Sequence, residues 1–155
     1  MERVMELPSF YGARTLFGYV AIGAEADPRS LLEGSNASMV VVPAKGEAED
    51  GPAWSAWGGS AGDQGLRVLV RPDDFPALAI VPGVGFDHAA MRLGRGQGFY
   101  DRALEALRSA GEVCVVGLAF ESQIVPSLPT DPWDQPMDYV VTEERIILAS
   151  RTGSR

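Results

Sequence analysis

Cysteine, histidine and positive charge are all scarce in this chain of 155 residues. The one cysteine, Cys114, excludes an intramolecular disulfide. It sits within Val113-Cys114-Val115-Val116, where a small buried strand residue is expected rather than a catalytic thiol. The one histidine, His88, lies in a predicted loop, where a solitary histidine is more often a solvent contact than a catalytic base. Lys and Arg total 13 against 21 Asp and Glu, a formal net charge of −8 at pH 7. Such an acid excess cannot displace the counterions of nucleic acid, so nucleic acid is excluded as a general partner. A local basic pocket is still open to it, because Arg92, Arg95 and Arg102 lie close in sequence. No apolar run is long enough for a membrane span, and the first residues hold no apolar core of signal-peptide length. A cytoplasmic location without membrane contact is expected. No internal repeat is present.

Hydrophobic residues make up 46% of the chain and charged residues 22%, the composition of a soluble globular protein. The length suits one domain over residues 1–150, with residues 151–155 as a disordered tail.

Ser9 is placed to cap a helix over residues 10–19, where Phe10, Ala13, Phe17 and Val20 recur at helical spacing. Residues 20–22 fit a strand equally well. Asp27-Pro28 reads as the start of a short helix over residues 28–33, closed by Gly34. Residues 38–42 are a continuous apolar run that suits a strand buried on both faces. Residues 45–63 mix Gly, Pro, Ser, acids, Trp54 and Trp57, and read as a long loop with room for a hairpin. Residues 66–70 alternate as a strand does, and residues 71–74 form a turn. Ala77–Val81 and Val113–Leu118 are two further buried strands. Between them, a loop carrying Asp87, His88 and Arg92 leads to a helix over residues 98–110. Residues 123–129 read as a loop or short strand. Residues 137–141 and 145–148 read as short strands joined by a turn.

Strand, helix and strand in that order predict parallel pairing, hence an α/β fold with a layered, mainly parallel sheet flanked by helices. Ligands of such sheets bind beyond the carboxyl ends of the strands. Leu93-Gly94-Arg95-Gly96-Gln97-Gly98-Phe99-Tyr100-Asp101-Arg102 falls at such an end. Its glycines permit left-handed angles and close approach of a ligand to the main chain. The N–H groups and dipole of the helix that follows favour an anion. The physical reading is a phosphate-binding loop with arginines beside it.

The loop belongs to an ordered series: Pro82-Gly83-Val84-Gly85-Phe86-Asp87, Arg92 to Asp101, Gly117-Leu118-Ala119-Phe120 with Gln123, then Asp134, Asp138 and Val141-Thr142-Glu143. This series resembles the 5-formyltetrahydrofolate cyclo-ligase (methenyltetrahydrofolate synthetase) family, closely from Ala77 to about Ile147 and loosely over residues 7–43. The resemblance implies a Rossmann-like sheet of the kind found in coenzyme A transferases. It implies ATP-dependent cyclisation of 5-formyltetrahydrofolate, with or without a polyglutamate tail, with ATP and Mg2+ as cofactors. It also suits a monomer or weak homodimer.

Residue by residue, the resemblance implies a catalytic set of Arg92, Arg95 and Gln97. The nucleotide site would comprise Arg92, Gly94, Arg95, Gly96, Gln97, Gly98, Phe99, Tyr100 and Asp101. The folate site would comprise Glu25, Gly96, Gln97, Gly98, Phe99, Tyr100 and Gln123. Asp101 and Asp134 match magnesium carboxylates. From the residues alone, Asp101 is equally a first-turn helix carboxylate, and Tyr100 equally a core residue. Gln97 stands at a lysine position of the family pattern and Phe99 at a tyrosine position. A basic helix with K-x-x-x-R is expected before Leu7, where only Arg3 and Arg14 lie nearby. Losing a charge-assisted phosphate contact costs about 1.5–3 kcal/mol. The alternative is therefore a relative that binds a folate or nucleotide without turnover, as a regulatory or binding protein.

Overall fold

A computed structural model describes residues 2–44, 52–59, 63–96 and 98–149. In chain order the strands are β1 (Thr15–Phe17), β2 (Met39–Pro43), β3 (Trp54–Trp57), β4 (Asp63–Val68), β5 (Ala77–Val81) and β6 (Gly85–Asp87). They continue as β7 (Arg92–Leu93), β8 (Val113–Leu118), β9 (Ile124–Val125), β10 (Tyr139–Val141) and β11 (Ile146–Leu148). The α-helices are α1 (Pro8–Gly12), α2 (Arg29–Gly34) and α3 (Phe99–Ala110).

Eight strands form one sheet in the order β11-β10-β8-β5-β1-β2-β3-β4. The middle run from β10 to β2 is parallel, and β11, β3 and β4 add antiparallel edges. A sheet buried on both faces needs apolar residues at every position, and β5 is buried throughout. Leu78 and Ile80 point to one side, where Val4, Leu7, Phe10, Leu31 and Leu32 from the N-terminal turn, α1 and α2 cover them. Ala77, Ala79 and Val81 point to the other, against Ala103, Leu104 and Leu107 of α3. The expected layered, mainly parallel architecture is present.

A second sheet, β7-β6-β9, packs on the α3 side. Phe86 of β6 is fully buried, and its ring takes the space that a Cβ at Gly117 would fill, 2.4 Å away. The expected plain loop after β5 is thus a small sheet that carries Arg92 on β7.

The helix expected over residues 10–19 is not formed. α1 stops at Gly12, Ala13 turns extended, and Thr15–Phe17 becomes the strand between β2 and β5. Sheet pairing on both sides outweighs the local helical spacing, and a strand of three residues is too short to show a period of its own. Val20 and Ile22 lie outside any strand and are exposed. The strand expected at 66–70 occupies Asp63–Val68, paired with β3, so part of the long loop is indeed a hairpin. Residues 45–51, 60–62 and the expected tail at 151–155 lie outside the described residues. No helix among the described residues is long and apolar enough to cross a membrane.

Candidate active site

The strand order reverses beside β1. The chain leaves β1 to build β2 on one side, and β5 lies on the other. The crevice beyond the carboxyl ends of β1 and β5 is the usual ligand position in an open α/β sheet. Glu25 arrives there on the segment after β1, and Arg92 and Arg95 on the segment after β5.

Arg92 is half-buried. Its Nε–H donates to Pro82 O at 2.5 Å, and its guanidinium carbon lies 4.8 Å from the centre of the Tyr100 ring. A Cβ at Gly94 would come within 2.7 Å of Arg92 Nη1, so the glycine lets the guanidinium lie against the main chain. Burial lowers the Arg92 pKa, while Tyr100, Asp101 and Glu25 act in the opposite sense. Arginine stays charged regardless. Among the described residues no carboxylate forms an ion pair with it.

Arg95 is exposed and reaches Glu25 across the crevice, at 3.4 Å. The other oxygen of Glu25 accepts from Ile22 N–H at 2.9 Å. The expected folate residue and the expected phosphate residue are therefore neighbours. Gly96 and Gly98 have φ of 86° and 70°, angles at which a side chain is strained. Gly98 then caps α3. Gln97, expected in the catalytic, nucleotide and folate sets, lies outside the described residues.

The aromatic pair has two partners. Phe99 meets Trp54 at 5.9 Å and Tyr100 at 5.0 Å, and Trp54 in turn meets Phe17 at 4.7 Å. The rings run from the sheet core to the Arg92 cation. Tyr100 packs against the core and lies under the Arg92 guanidinium, and burial pushes its phenol pKa up, with Arg92 opposing the shift. Tyr19 was missed by sequence reasoning. Its hydroxyl donates to Ala26 O, and burial raises its pKa, with Glu25 adding to the shift. The sequence signal was its place just beyond β1, hidden by the expected helix.

Asp101 opens α3, and its Oδ1 accepts from Gln135 N–H at 3.2 Å. Asp134, one residue away from that contact, accepts from Asp131 N–H through Oδ2 at 2.7 Å. The structure thus brings the two expected metal carboxylates to one neighbourhood. Each keeps one oxygen without a hydrogen-bond partner among the described residues, which fits a hard cation that prefers few carboxylates and fills its shell with phosphate and water. No group of three or more His, Cys, Asp or Glu that could hold a metal occurs among the described residues.

Gln123 is spent on the protein itself. Its amide donates to Gly83 O at 2.8 Å and Val84 O at 3.1 Å, and accepts from Phe120 N–H at 2.8 Å. Asp87, buried, accepts three backbone N–H groups from Ala89, Met91 and Leu128, each at 2.9 Å. His88 is exposed.

A half-buried guanidinium with no carboxylate partner among the described residues lies beside left-handed glycines at the switch point of a parallel sheet, an arrangement of an α/β protein that suits an anion. Residues 65–143 match the model of the 5-formyltetrahydrofolate cyclo-ligase family. A 5-formyltetrahydrofolate cyclo-ligase of Mycolicibacterium smegmatis is 31% identical over 154 residues, covering 89% of this chain and 78% of that protein. The chain belongs to this family. The Escherichia coli cyclo-ligase is 42% identical over 69 residues, 44% of this chain and 37% of that protein. The solution structure of the Aquifex aeolicus 5,10-methenyltetrahydrofolate synthetase aligns with a TM-score of 0.70 at 28% identity, over 99% of this chain and 80% of that one. A synthetase from Mycoplasma pneumoniae, 24% identical with a TM-score of 0.69 over 92% and 81% of the chains, shares the fold.

Proposed function

We propose that the chain catalyses the ATP-dependent cyclisation of 5-formyltetrahydrofolate to 5,10-methenyltetrahydrofolate, releasing ADP and phosphate. Family membership supports the reaction. Its placement is carried by Arg92, a half-buried guanidinium without a carboxylate partner among the described residues, set beside a glycine loop.

A formamide carbonyl is a poor electrophile and its oxygen a poor leaving group. Moving the γ-phosphoryl group onto the formyl oxygen cures both faults, as the new oxygen–phosphorus bond forms and the bond from phosphorus to ADP breaks. N10 then attacks the formyl carbon and loses its proton, and the carbon–oxygen bond breaks to free phosphate. Phosphoryl transfer asks mainly for positioning and fixed positive charge. On this reading Arg92 and Arg95 supply the charge, and Gln97 adds a neutral hydrogen bond where the family pattern has lysine. The N–H groups of Gly94, Gly96 and Gly98 hold phosphate oxygens. Asp101 and Asp134 would hold a Mg2+ ion, which supplies neutralising charge on the phosphates.

Glu25, Phe99 and Tyr100 form the folate side. Gln123 acts there by fixing the loop after β5, since its amide is engaged by backbone. The Glu25–Arg95 pair opens when both substrates bind. The reading includes a cytoplasmic monomer or weak homodimer that takes folate with or without a polyglutamate tail. The net charge of −8 supports leaving nucleic acid aside.

The test is calorimetric titration of MgATP into the chain with and without 5-formyltetrahydrofolate, with methenyl product followed by absorbance. Binding with product formation, abolished by Asp101→Ala, is expected. Folate binding without MgATP binding or product would replace this reading with that of a binding protein.

A further inference from the structure

Parallel strands need a crossover between them, and a helix usually provides it. The crossover from β8 to β10 has four prolines, Pro126, Pro129, Pro132 and Pro136, and the stretch after β9 forms no helix. A segment without its own ladder of hydrogen bonds must be held by its neighbours. This one carries Asp134.

α3 holds it at two points. Asp101, in its first turn, accepts from Gln135 N–H at 3.2 Å. Arg108, in its last turn, donates through Nη1 to Gln135 Oε1 at 2.8 Å and through Nη2 to Pro136 O at 2.7 Å. Arg108 Nη2 also lies 3.7 Å from Asp138 Oδ2, and that oxygen accepts from Val115 N–H of β8 at 2.8 Å. Seven residues on an α-helix bring the chain back to the same face about 10 Å along the axis. Asp101 and Arg108 therefore bracket one loop from one helix face. Gln135 is gripped at both ends, its N–H by Asp101 and its side chain by Arg108. The residue before it is Asp134, whose own turn is closed by the reciprocal contacts of Asp131 N–H to Asp134 Oδ2 and Asp134 N–H to Asp131 O.

We propose that Arg108 is a positioning residue for the carboxylate pair Asp101 and Asp134: by locking Gln135 and Pro136 to α3 it fixes how far apart the two carboxylates stand when they share a divalent cation. The proposal rests on the reading of that pair as the cation site. A rigid planar fork with two donors aimed at two acceptors does this, and a lysine cannot reproduce it. Outer partners that orient metal ligands typically contribute 10- to 100-fold to affinity for the ion, so a loss of about that size is expected.

The test is calorimetric titration of ADP into the full chain, once with saturating Mg2+ and once with a chelator. Arg108→Met should weaken ADP binding in Mg2+ by about tenfold or more and leave binding in chelator unchanged. Arg108→Lys should fall between, and it serves as the readout if Arg108→Met does not fold. Asp101→Asn and Asp134→Asn should remove the Mg2+ contribution. If the two asparagine variants lose that contribution while both Arg108 variants keep it, the role of Arg108 is overturned and the cation site stands. Equal losses with and without Mg2+ would make Arg108 a general structural residue and overturn the proposal as well. If neither asparagine variant changes the Mg2+ contribution, the cation reading falls and the proposal with it.

Discussion

Arg92 sets function against stability at a single residue. Its burial without an ion-pair partner among the described residues costs free energy that a bound phosphate would offset. Arg92→Met removes the buried charge but orphans the carbonyl of Pro82, so the melting temperature should move by no more than a few degrees. MgATP affinity should fall by about 10- to 100-fold, the equivalent of roughly 1.5–3 kcal/mol. Calorimetry and a thermal melt on the same sample check both halves, and unchanged affinity would remove Arg92 from the phosphate site. The glycines separate two causes. Gly94→Ala places a methyl 2.7 Å from the Arg92 guanidinium, which is a side-chain end rather than backbone, so it should displace that cation and weaken MgATP binding with little loss of stability. Gly96→Ala meets nothing within 4 Å, but holds a side chain at φ 86° and should cost about 1–2 kcal/mol in a denaturant titration. Glycine content flagged this loop in the sequence. Which glycine serves a neighbour and which serves the backbone was visible only once Arg92 was placed.

At the scale of elements, the small sheet meets the large one through a ring on a glycine. Gly117→Ala puts a Cβ 2.4 Å from the fully buried Phe86 ring, and neither β8 nor β6 can yield easily. Overpacking of this kind costs about 1–3 kcal/mol, and the urea midpoint should fall accordingly. A value unchanged within error would mean that β6 docks loosely. The turn between β10 and β11 is tied to the end of β8 by Glu121, which pairs with Arg145 at 2.7 Å and accepts from the Thr142 hydroxyl at 2.9 Å. These bonds hold the Glu121 carboxyl below the ordinary carboxylate range, the hydrogen bond from Arg145 contributing most. A carboxylate whose pKa is lowered in the folded state stabilises above its unfolded pKa of about 4.3, and that contribution is lost as pH falls through the folded value. Glu121→Gln should therefore be less stable than the parent chain at pH 7, and the gap should close below about pH 4. A gap that stays constant with pH in denaturant titrations would show that charge is not its source.

For the molecule as a whole, a ligand that binds only the folded chain must raise its melting temperature. MgATP at about 100 times its dissociation constant should add about 2.7 kcal/mol, or roughly 5–10 °C for a chain of this size. No shift at any MgATP concentration would count against the nucleotide site as a whole, whereas a shift lost only in Arg92→Met would localise it.

Much of this protein was legible in order along the chain. The run Ala77–Val81, buried throughout, and the run Val113–Leu118, buried from Val115 on, hold no charged residue because both faces of the sheet are covered there, and they declared themselves as strands. The glycine series, its arginines and the acids after it carried the family. The strand Thr15–Phe17 could not be read, because three residues hold no period and pairing with β2 and β5 decided the matter. The contacts of Tyr19, Arg108 and Gln135 were equally invisible. They are made over 7 to 34 positions, from Tyr19 to Ala26, from Arg108 to Gln135 and from Gln135 to Asp101. The sequence by itself determined which chemistry-bearing residues exist and which strands must be buried, because residue type and local pattern suffice for that. Only the tertiary structure decided which of those residues face one another, because hydrogen bonds and ion pairs depend on distances that a crossover without a helix leaves to its neighbours.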